Sequence, residues 1–395
     1  MLIWSILLAW LLTDVLATYG VLHNRRTFTT MHAASTGPAA ALVVAIKGIS
    51  DVTPRFLQAL RQQNYRDFRL IFALQSSVDA ALPLVTQLQR QLSGVREVNV
   101  VIAGDSSRRA QKVHNLLAAL RTLRPEDRIV VLADADIVPG INWLADLIRP
   151  VASGETAASC GYRWQLPPAR SIPSLIVAAA DMSIATAVRS RRWNLCWAGS
   201  VALDRDVLDR LNLSEVWDRA ASDDLTLTSA LRAQGARIYA VPYVLVASPI
   251  SHSWGSMLRF VHRQYLLVRV YAPRHWLLAA WALIVPAIGA GAAVIALWHA
   301  QWLALIFVAA SVSLLQLRLR IRRTIADYVL AGADSVIADT TVKFARWAWP
   351  LIHIAHLAAF AASAFGRRFT WAGIRYRLNG AKVEGVDQPA ISTGT

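Results

Sequence analysis

The sequence predicts an α/β protein, with a Rossmann-like, mostly parallel sheet set between N-terminal and C-terminal transmembrane helices. Three observations carry this. Between residues 41 and 250, short β-branched runs alternate with amphipathic stretches, the pattern of parallel strands joined by right-handed crossover helices. Both ends of the chain hold apolar runs of bilayer-spanning length. One strand-like run, Ile-Val-Val-Leu-Ala at 129–133, stops at two acids one residue apart, Asp134 and Asp136. In an open α/β sheet the carboxyl ends of the strands face the ligand crevice.

Composition agrees with partial burial in lipid: 55% of the 395 residues are apolar and the formal charge is +16, from 41 basic and 25 acidic residues. Such a charge admits nucleic acid, an anionic membrane surface or a phosphorylated substrate as partner. The membrane accounts for it most simply, and no nucleic-acid module is present. Cys160 and Cys196 alone suggest neither a disulfide framework nor a zinc site, and read as free thiols in a reducing compartment.

Residues 1–22 form an apolar stretch interrupted by Asp14 and followed by Arg25-Arg26. A secretory signal carries its basic residues before the apolar run, so this reads as a retained anchor with its amino end outside and the following domain in the cytoplasm. Residues 23–40 read as a linker. The domain 41–250 then shows strands at 41–46, 69–75, 97–103 and 129–133, with helices at 54–62, 81–93 and 110–122 between them. A further strand is expected at 156–164 and an apolar helix at 173–188. Residues 251–275 mix basic and aromatic side chains as an interfacial segment does.

Within 276–366, apolar runs at 276–298, 302–316 and 347–365 are membrane segments. Arg318, Arg320, Arg322 and Arg323 after the second are a cytoplasmic signal. Strict counting of three crossings would place the tail, 367–395, outside, unless one segment is re-entrant or in-plane. The tail reads as basic, then disordered from 383.

Several side chains suit a nucleotide-diphosphate ligand. Asp134 and Asp136 offer hard oxygens to Mg²⁺ or Mn²⁺, although an Asp-x-Asp by itself serves a solvated turn equally well. Lys47, at a strand end, can meet a diphosphate or a base, or be a solvated turn lysine. Lys112 and Asn115, three apart, share a helix face near a helix start that can turn to an anion. In Ser222-Asp223-Asp224 the serine is a helix cap and both acids sit in the first turn, where the helix dipole already favours them.

Taken in order, Lys47-Gly48-Ile-Ser-Asp51, Asn64-Tyr65-Arg-Asp-Phe68, Lys112-Val-His-Asn115, Asp134-x-Asp136, Cys196-Trp197-Ala-Gly199-Ser200 and Ser222-Asp223-Asp224-Leu225 resemble family 2 glycosyltransferases of the ceramide glucosyltransferase-like, hopanoid-associated bacterial branch. The likeness spans roughly residues 1–380. It implies a GT-A-like nucleotide-sugar-binding domain and a metal-dependent, inverting hexosyltransferase. A UDP-hexose donor would give one sugar to a lipid hydroxyl, on ceramide, diacylglycerol or a hopanoid. The enzyme would be a multi-pass protein of a bacterial-type inner membrane with its catalytic domain on the cytoplasmic face.

The resemblance assigns Asp224 as general base with Asp223 positioning it. Lys47, Asp79, Lys112, Asn115 and Asp134 would bind the nucleotide sugar, and Asp134 and Asp136 the metal. Trp197 and Gly199 would lie near the acceptor. Two departures stand out. Where relatives carry an aspartate that contacts the base, this chain has Ser76, leaving Asp79 as the substitute. The Arg-Trp closure of the family is also missing, and Arg263, Gln264 and Tyr265 are the nearest match. That second departure disfavours a processive polysaccharide synthase; a non-catalytic scaffold retaining the fold is the other alternative. The tail resembles the Trp-x-Gly-x-x-Tyr close of bacterial members, here Trp371, Gly373 and Tyr376.

Overall fold

The computed structural model describes residues 1–28, 35–91, 95–187, 190–197 and 199–387. Part of the expected linker (29–34) and the end of the tail (388–395) lie outside these. In chain order the first elements are α1 (Leu2–Arg25), β1 (Ala40–Ala45), α2 (Thr53–Arg61), β2 (Phe68–Leu74), α3 (Ala81–Gln91), β3 (Val98–Ile102), α4 (Gln111–Leu120) and β4 (Ile129–Asp134). There follow α5 (Trp143–Ala152), β5 (Ala158–Leu166), α6 (Ile172–Ala185), β6 (Ser200–Asp204), α7 (Arg205–Arg210), α8 (Leu213–Val216), α9 (Asp223–Ala233) and β7 (Ile238–Pro249). The remainder is α10 (Trp254–Tyr271), α11 (Pro273–Trp298), α12 (Ala304–Val329), α13 (Ala333–Phe365), β8 (Arg368–Trp371), β9 (Ile374–Asn379) and β10 (Lys382–Asp387).

These elements form two compact units. A helical unit comprises Met1–Thr29, Trp164–Val188 and Ile250–Gly366; a sheet unit comprises Thr30–Arg163, Arg189–Pro249 and Arg367–Thr395. The division differs from the linear segments expected above. The stretch from Trp164 leaves the 41–250 domain for the helical unit, and the tail joins the sheet unit.

The seven-stranded sheet has the order β3-β2-β1-β4-β6-β5-β7. β1 pairs in parallel with β2 and β4, whereas β6 runs antiparallel to both β4 and β5. Sheets covered on both faces need strands that are apolar throughout, and β1, β2 and β4 are buried almost end to end. The helix α2 turns Phe56, Leu57 and Leu60 into this core, each contributing roughly 2 kcal/mol on burial. Arg69, in the middle of β2, is satisfied by Asp127: its Nε donates to Oδ1 at 2.9 Å and its guanidinium to Oδ2 at 2.6 Å.

β8, β9 and β10 form an antiparallel meander. This corrects the expectation of disorder from 383, since Lys382–Asp387 is a strand. Ile374, Tyr376 and Leu378 alternate inward along β9 while Arg375, Arg377 and Asn379 face solvent, the period-two pattern of a half-buried strand. The hairpin between β8 and β9 turns on Ala372 and Gly373, with φ of 49° and 81°, the left-handed pair that a two-residue turn requires.

In the helical unit α1 packs on α11 and α12. Gly289 brings the helices together, since a Cβ there would stand 2.6 Å from Trp10 Cβ. The acid that interrupts the first apolar run is neutralised: Arg318 donates to Asp14 Oδ1 at 2.7 Å and to its carbonyl at 2.9 Å. α13 packs along α6, α10 and α12. Among the described residues, four helices (α1, α11, α12 and α13) are long and apolar enough to cross a membrane. α12 and α13 both exceed the apolar runs read at 302–316 and 347–365, because amphipathic turns extend them.

Candidate active site

β1 and β4 are adjacent and in register, Ala45 opposite Asp134, so the loop opening with Ile46-Lys47 starts beside the Asp-x-Asp. α4 and α9 bring two further groups to the same place. Lys112 Nζ lies 2.6 Å from Asp134 Oδ1 and 3.0 Å from Asp223 Oδ2. One ammonium therefore bridges the end of β4 and the first turn of α9. Burial alone would depress the lysine, but the charges of Asp134, Asp223 and Asp224 outweigh it and raise its pKa well above the ordinary value.

The carboxylates are crowded. Asp223 is buried, and burial, with Asp224 and Asp134 adding repulsion, pushes it up to about 6 against the pull of Lys112. Asp136 is also shifted upward, by crowding from the surrounding protein and then by Asp134, with Arg163 and Lys112 opposing. Its side chain keeps access to solvent, which screens part of that repulsion. Asp224 is oriented at the helix start: Ser222 Oγ donates to its Oδ1, as does Leu225 N at 2.8 Å. Its Oδ2 has no hydrogen-bond partner among the described residues.

The Trp197 loop backs this cluster. Trp197 is buried, its ring 5.4 Å from that of Tyr162, with the Arg163 guanidinium 5.8 Å from its centroid. Gly199 sits between indole and acid: a Cβ there would fall 2.4 Å from Trp197 Cζ2 and 2.7 Å from Asp134 Oδ2. The absence of a side chain thus lets the indole and the Asp134 carboxylate both close on the backbone here. Ser200 beyond it is buried and accepts from Trp143 Nε1 at 2.7 Å.

Other expected site residues are occupied in shaping loops. Asp79 Oδ1 accepts from Gly48 N and Ala81 N, both at 2.9 Å, tying the loop after β1 to the start of α3. Asn115 is buried and accepts from Gln111 Nε2 at 2.8 Å. Gln111 in turn fastens the turn before α4, donating to Gly104 O at 2.8 Å and accepting from Ser106 N at 2.9 Å. Arg263, Gln264 and Tyr265 lie on α10 in the helical unit. There Tyr265 Oη meets His356 Nδ1 at 2.9 Å and packs against Phe360, while Arg263 lies over the Phe260 ring.

Sequence reasoning missed Arg163, whose only local signal was a cation between Tyr162 and Trp164 in a strand. It also left the tail outside the site. The tail's Ala372 O accepts from Lys47 Nζ at 3.2 Å, and Tyr376 Oη accepts from Gln111 N at 3.2 Å.

Asp134 and Asp136, one residue apart at the end of β4 and both reached by solvent, are the oxygen ligands that a divalent ion would use. Among the described residues no group of three acidic, histidine or cysteine side chains converges on one point. Mg²⁺ and Mn²⁺ take one or two carboxylates and complete their shell with water and phosphate oxygens.

A mostly parallel sheet with acids clustered at its strand ends defines an open α/β fold with its ligand crevice there. The chain matches the model of glycosyl transferase family 21 over residues 5–383 and belongs to that family. No curated protein matches it. Among solved structures it is similar to mannosyltransferase PcManGT from Pyrobaculum calidifontis, in complex with GDP-Man and Mn²⁺, at 17% identity. The match covers 92% of this chain and 99% of that one, with a TM-score of 0.50. A weaker likeness is to S. aureus TarS 1–349 in complex with UDP-GlcNAc, at 12% identity and a TM-score of 0.39 over 88% of this chain and 100% of that one. The ceramide glucosyltransferase-like resemblance thus resolves to family 21, and the protein is a glycosyltransferase.

Proposed function

We propose that the protein is a membrane-bound, metal-dependent, inverting glycosyltransferase that moves one sugar from a nucleotide-diphosphate sugar, a UDP-hexose, to a lipid hydroxyl. Ceramide-like lipids, diacylglycerol and hopanoids are the acceptor classes. The observation that carries this is the cluster of Asp134, Asp136, Asp223 and Asp224 around Lys112, in a family 21 chain that also holds four bilayer-length apolar helices.

The geometry supports the following assignment of roles. Asp224 is the general base: Ser222 and Leu225 hold one oxygen, and the other takes the acceptor hydroxyl proton as that hydroxyl oxygen attacks the anomeric carbon and the nucleoside diphosphate leaves. Asp223 and Lys112 fix the first turn of α9 against the end of β4. Lys47 and Lys112 meet the donor's negative charge, and Trp197 and Gly199 shape the acceptor side. When bound by Asp134 and Asp136, the metal would stabilise the leaving diphosphate. A single displacement needs no nucleophilic carboxylate, so the product is inverted. Arg263, Gln264 and Tyr265 remain acceptor-side or closure candidates.

The topology has a matching reading. The tail shares a compact unit with the sheet, so an even number of crossings separates Pro249 from Arg367. α11 and α12 would supply two, with α13, although long and apolar enough to span, lying in the membrane plane. With positive-inside placement, the arginines of α12 lie at the cytoplasmic face and the amino end of α1 outside.

The test is transfer by purified protein in nanodiscs, offered a panel of nucleotide sugars and lipid acceptors with Mg²⁺, Mn²⁺ or chelator. The expected product is one sugar on lipid with inverted anomeric configuration, formed only with metal. Retained configuration, or nucleotide binding without transfer to any lipid, defeats the proposal.

A further inference from the structure

The C-terminal meander touches the two lysines already placed at the donor. Ala372 O accepts from Lys47 Nζ at 3.2 Å, and the Trp371 ring centroid lies 6.0 Å from Lys112 Nζ. Lys47 follows the end of β1, and Lys112, from α4, lies against Asp134 at the end of the neighbouring β4. The hairpin tip Trp371-Ala372-Gly373 therefore covers the crevice between those ends. It is a built contact. Tyr376 Oη accepts from Gln111 N, and β10 is fastened at Arg219, whose carbonyl accepts from Val383 N at 2.7 Å and whose Nε donates to Val383 O at 3.0 Å. The inward face of β9 and the stacked pair Phe369–Tyr376 hold the hairpin rigid, while Trp371 itself is only half-buried.

A half-exposed indole beside two ammonium groups matches one class of ligand. The ammoniums suit a diphosphate, and the aromatic face suits the flat ring system or sugar carried with it. We propose that Trp371 is a donor-binding residue, forming the roof of the nucleoside diphosphate site, and that the donor diphosphate replaces the Ala372 carbonyl on Lys47. This rests on the nucleotide-sugar reading above. It gives the tail a part in the site that the strands and helices of residues 41–250 leave unfilled.

Binding of UDP, GDP and inorganic pyrophosphate is measured by calorimetry on the full chain in detergent with Mn²⁺, for wild type, Trp371→Ala, Trp371→Phe and Arg377→Ala. Arg377 faces solvent on β9 and pairs with Glu384, so it reports on meander integrity alone. Loss of one aromatic stack weakens nucleoside diphosphate binding about tenfold in Trp371→Ala. Phenylalanine restores most of it, pyrophosphate binding is unchanged, and Arg377→Ala behaves as wild type. Unchanged UDP and GDP affinity in Trp371→Ala overturns the inference while leaving the proposed function standing. Equal loss of nucleotide and pyrophosphate together with a lowered melting temperature overturns it in favour of a purely structural tryptophan. A wild type that binds neither UDP nor GDP overturns both.

Discussion

Two charge clusters lie in the same unit, one buried and one reached by solvent, and they are built to opposite plans. Arg69 and Asp127 are both almost wholly inaccessible, at 1% and 0% side-chain exposure, and match one charge with one. Asn99, the Thr122 carbonyl and the Arg124 amide satisfy the remaining hydrogen-bonding positions. Although burial pulls the other way, the Arg69 guanidinium and the Arg124 amide hold the Asp127 carboxyl below the usual range. At the strand ends, four carboxylates (Asp134, Asp136, Asp223 and Asp224) face two cations, Lys112 and Arg163. There the acids Asp136 and Asp223 are shifted upward. The first cluster is complete without any ligand. The second carries an excess of negative charge beside a solvent path, an arrangement that a metal ion and a reacting hydroxyl can complete.

The largest effect that separates the two plans is Asp224→Asn. An amide keeps an acceptor for Ser222 and Leu225 but cannot take a proton, so transfer falls by about 10²–10⁴-fold with the melting temperature unchanged. Product formation and thermal unfolding on the same preparation decide it. Transfer within a few-fold of wild type would remove Asp224 as base.

Asp127→Ala should show the reverse. It strands a buried guanidinium and costs about 3–5 kcal/mol of stability, while the folded fraction keeps its specific activity. Denaturant titration of the sheet unit's signal, paired with activity per folded molecule, tests this. A selective loss of turnover would mean that the Arg69 cluster reaches the site.

The contrast also marks what the sequence makes legible. The run 129–133 is apolar without a break because both sheet faces are covered, and its end at Asp134 and Asp136 is a local signal. Ser222-Asp223-Asp224 is local too, since a helix cap is written in adjacent residues. The partners that decide between cap and catalyst are not local. Lys112 meets Asp223 from a different helix, Arg163 reaches Trp197 across strands, and Tyr376 meets Gln111 from the tail. The antiparallel β6, the transfer of 164–188 to the helical unit and the first half of α13 escaped for the same reason. No apolar period in those segments specifies which element they pack against. Asp79 shows the converse: the residue was legible, but its bonds to Gly48 and Ala81 were not.

Gly199→Ala is the next step down in size. The added methyl would meet Trp197 at 2.4 Å and Asp134 Oδ2 at 2.7 Å, so either the indole or the carboxylate must move. Overpacking of this kind costs about 1–3 kcal/mol. If the carboxylate moves, the Mn²⁺ concentration needed for half-maximal transfer rises. Loss of stability with an unchanged metal requirement would place the strain on Trp197 and separate the glycine from the ion.

The smallest effect sharpens the comparison at its margin, where Asp79 could belong to either plan. With Oδ1 held by two backbone amides it resembles a cap, and replacing a capping aspartate by alanine costs typically about 1 kcal/mol. Asp79→Asn preserves that acceptor and should leave both stability and UDP affinity near wild type, while Asp79→Ala loses stability and loosens the Gly48 turn that precedes the donor site. The two variants measured side by side by thermal unfolding and UDP calorimetry isolate the charge. If Asp79→Asn alone weakens UDP markedly at unchanged stability, the carboxylate contacts the base and stands in for the aspartate that Ser76 replaces. If only Asp79→Ala is affected, base selectivity lies elsewhere in the crevice, and Asp79 belongs with Asp127 among the acids that finish the fold.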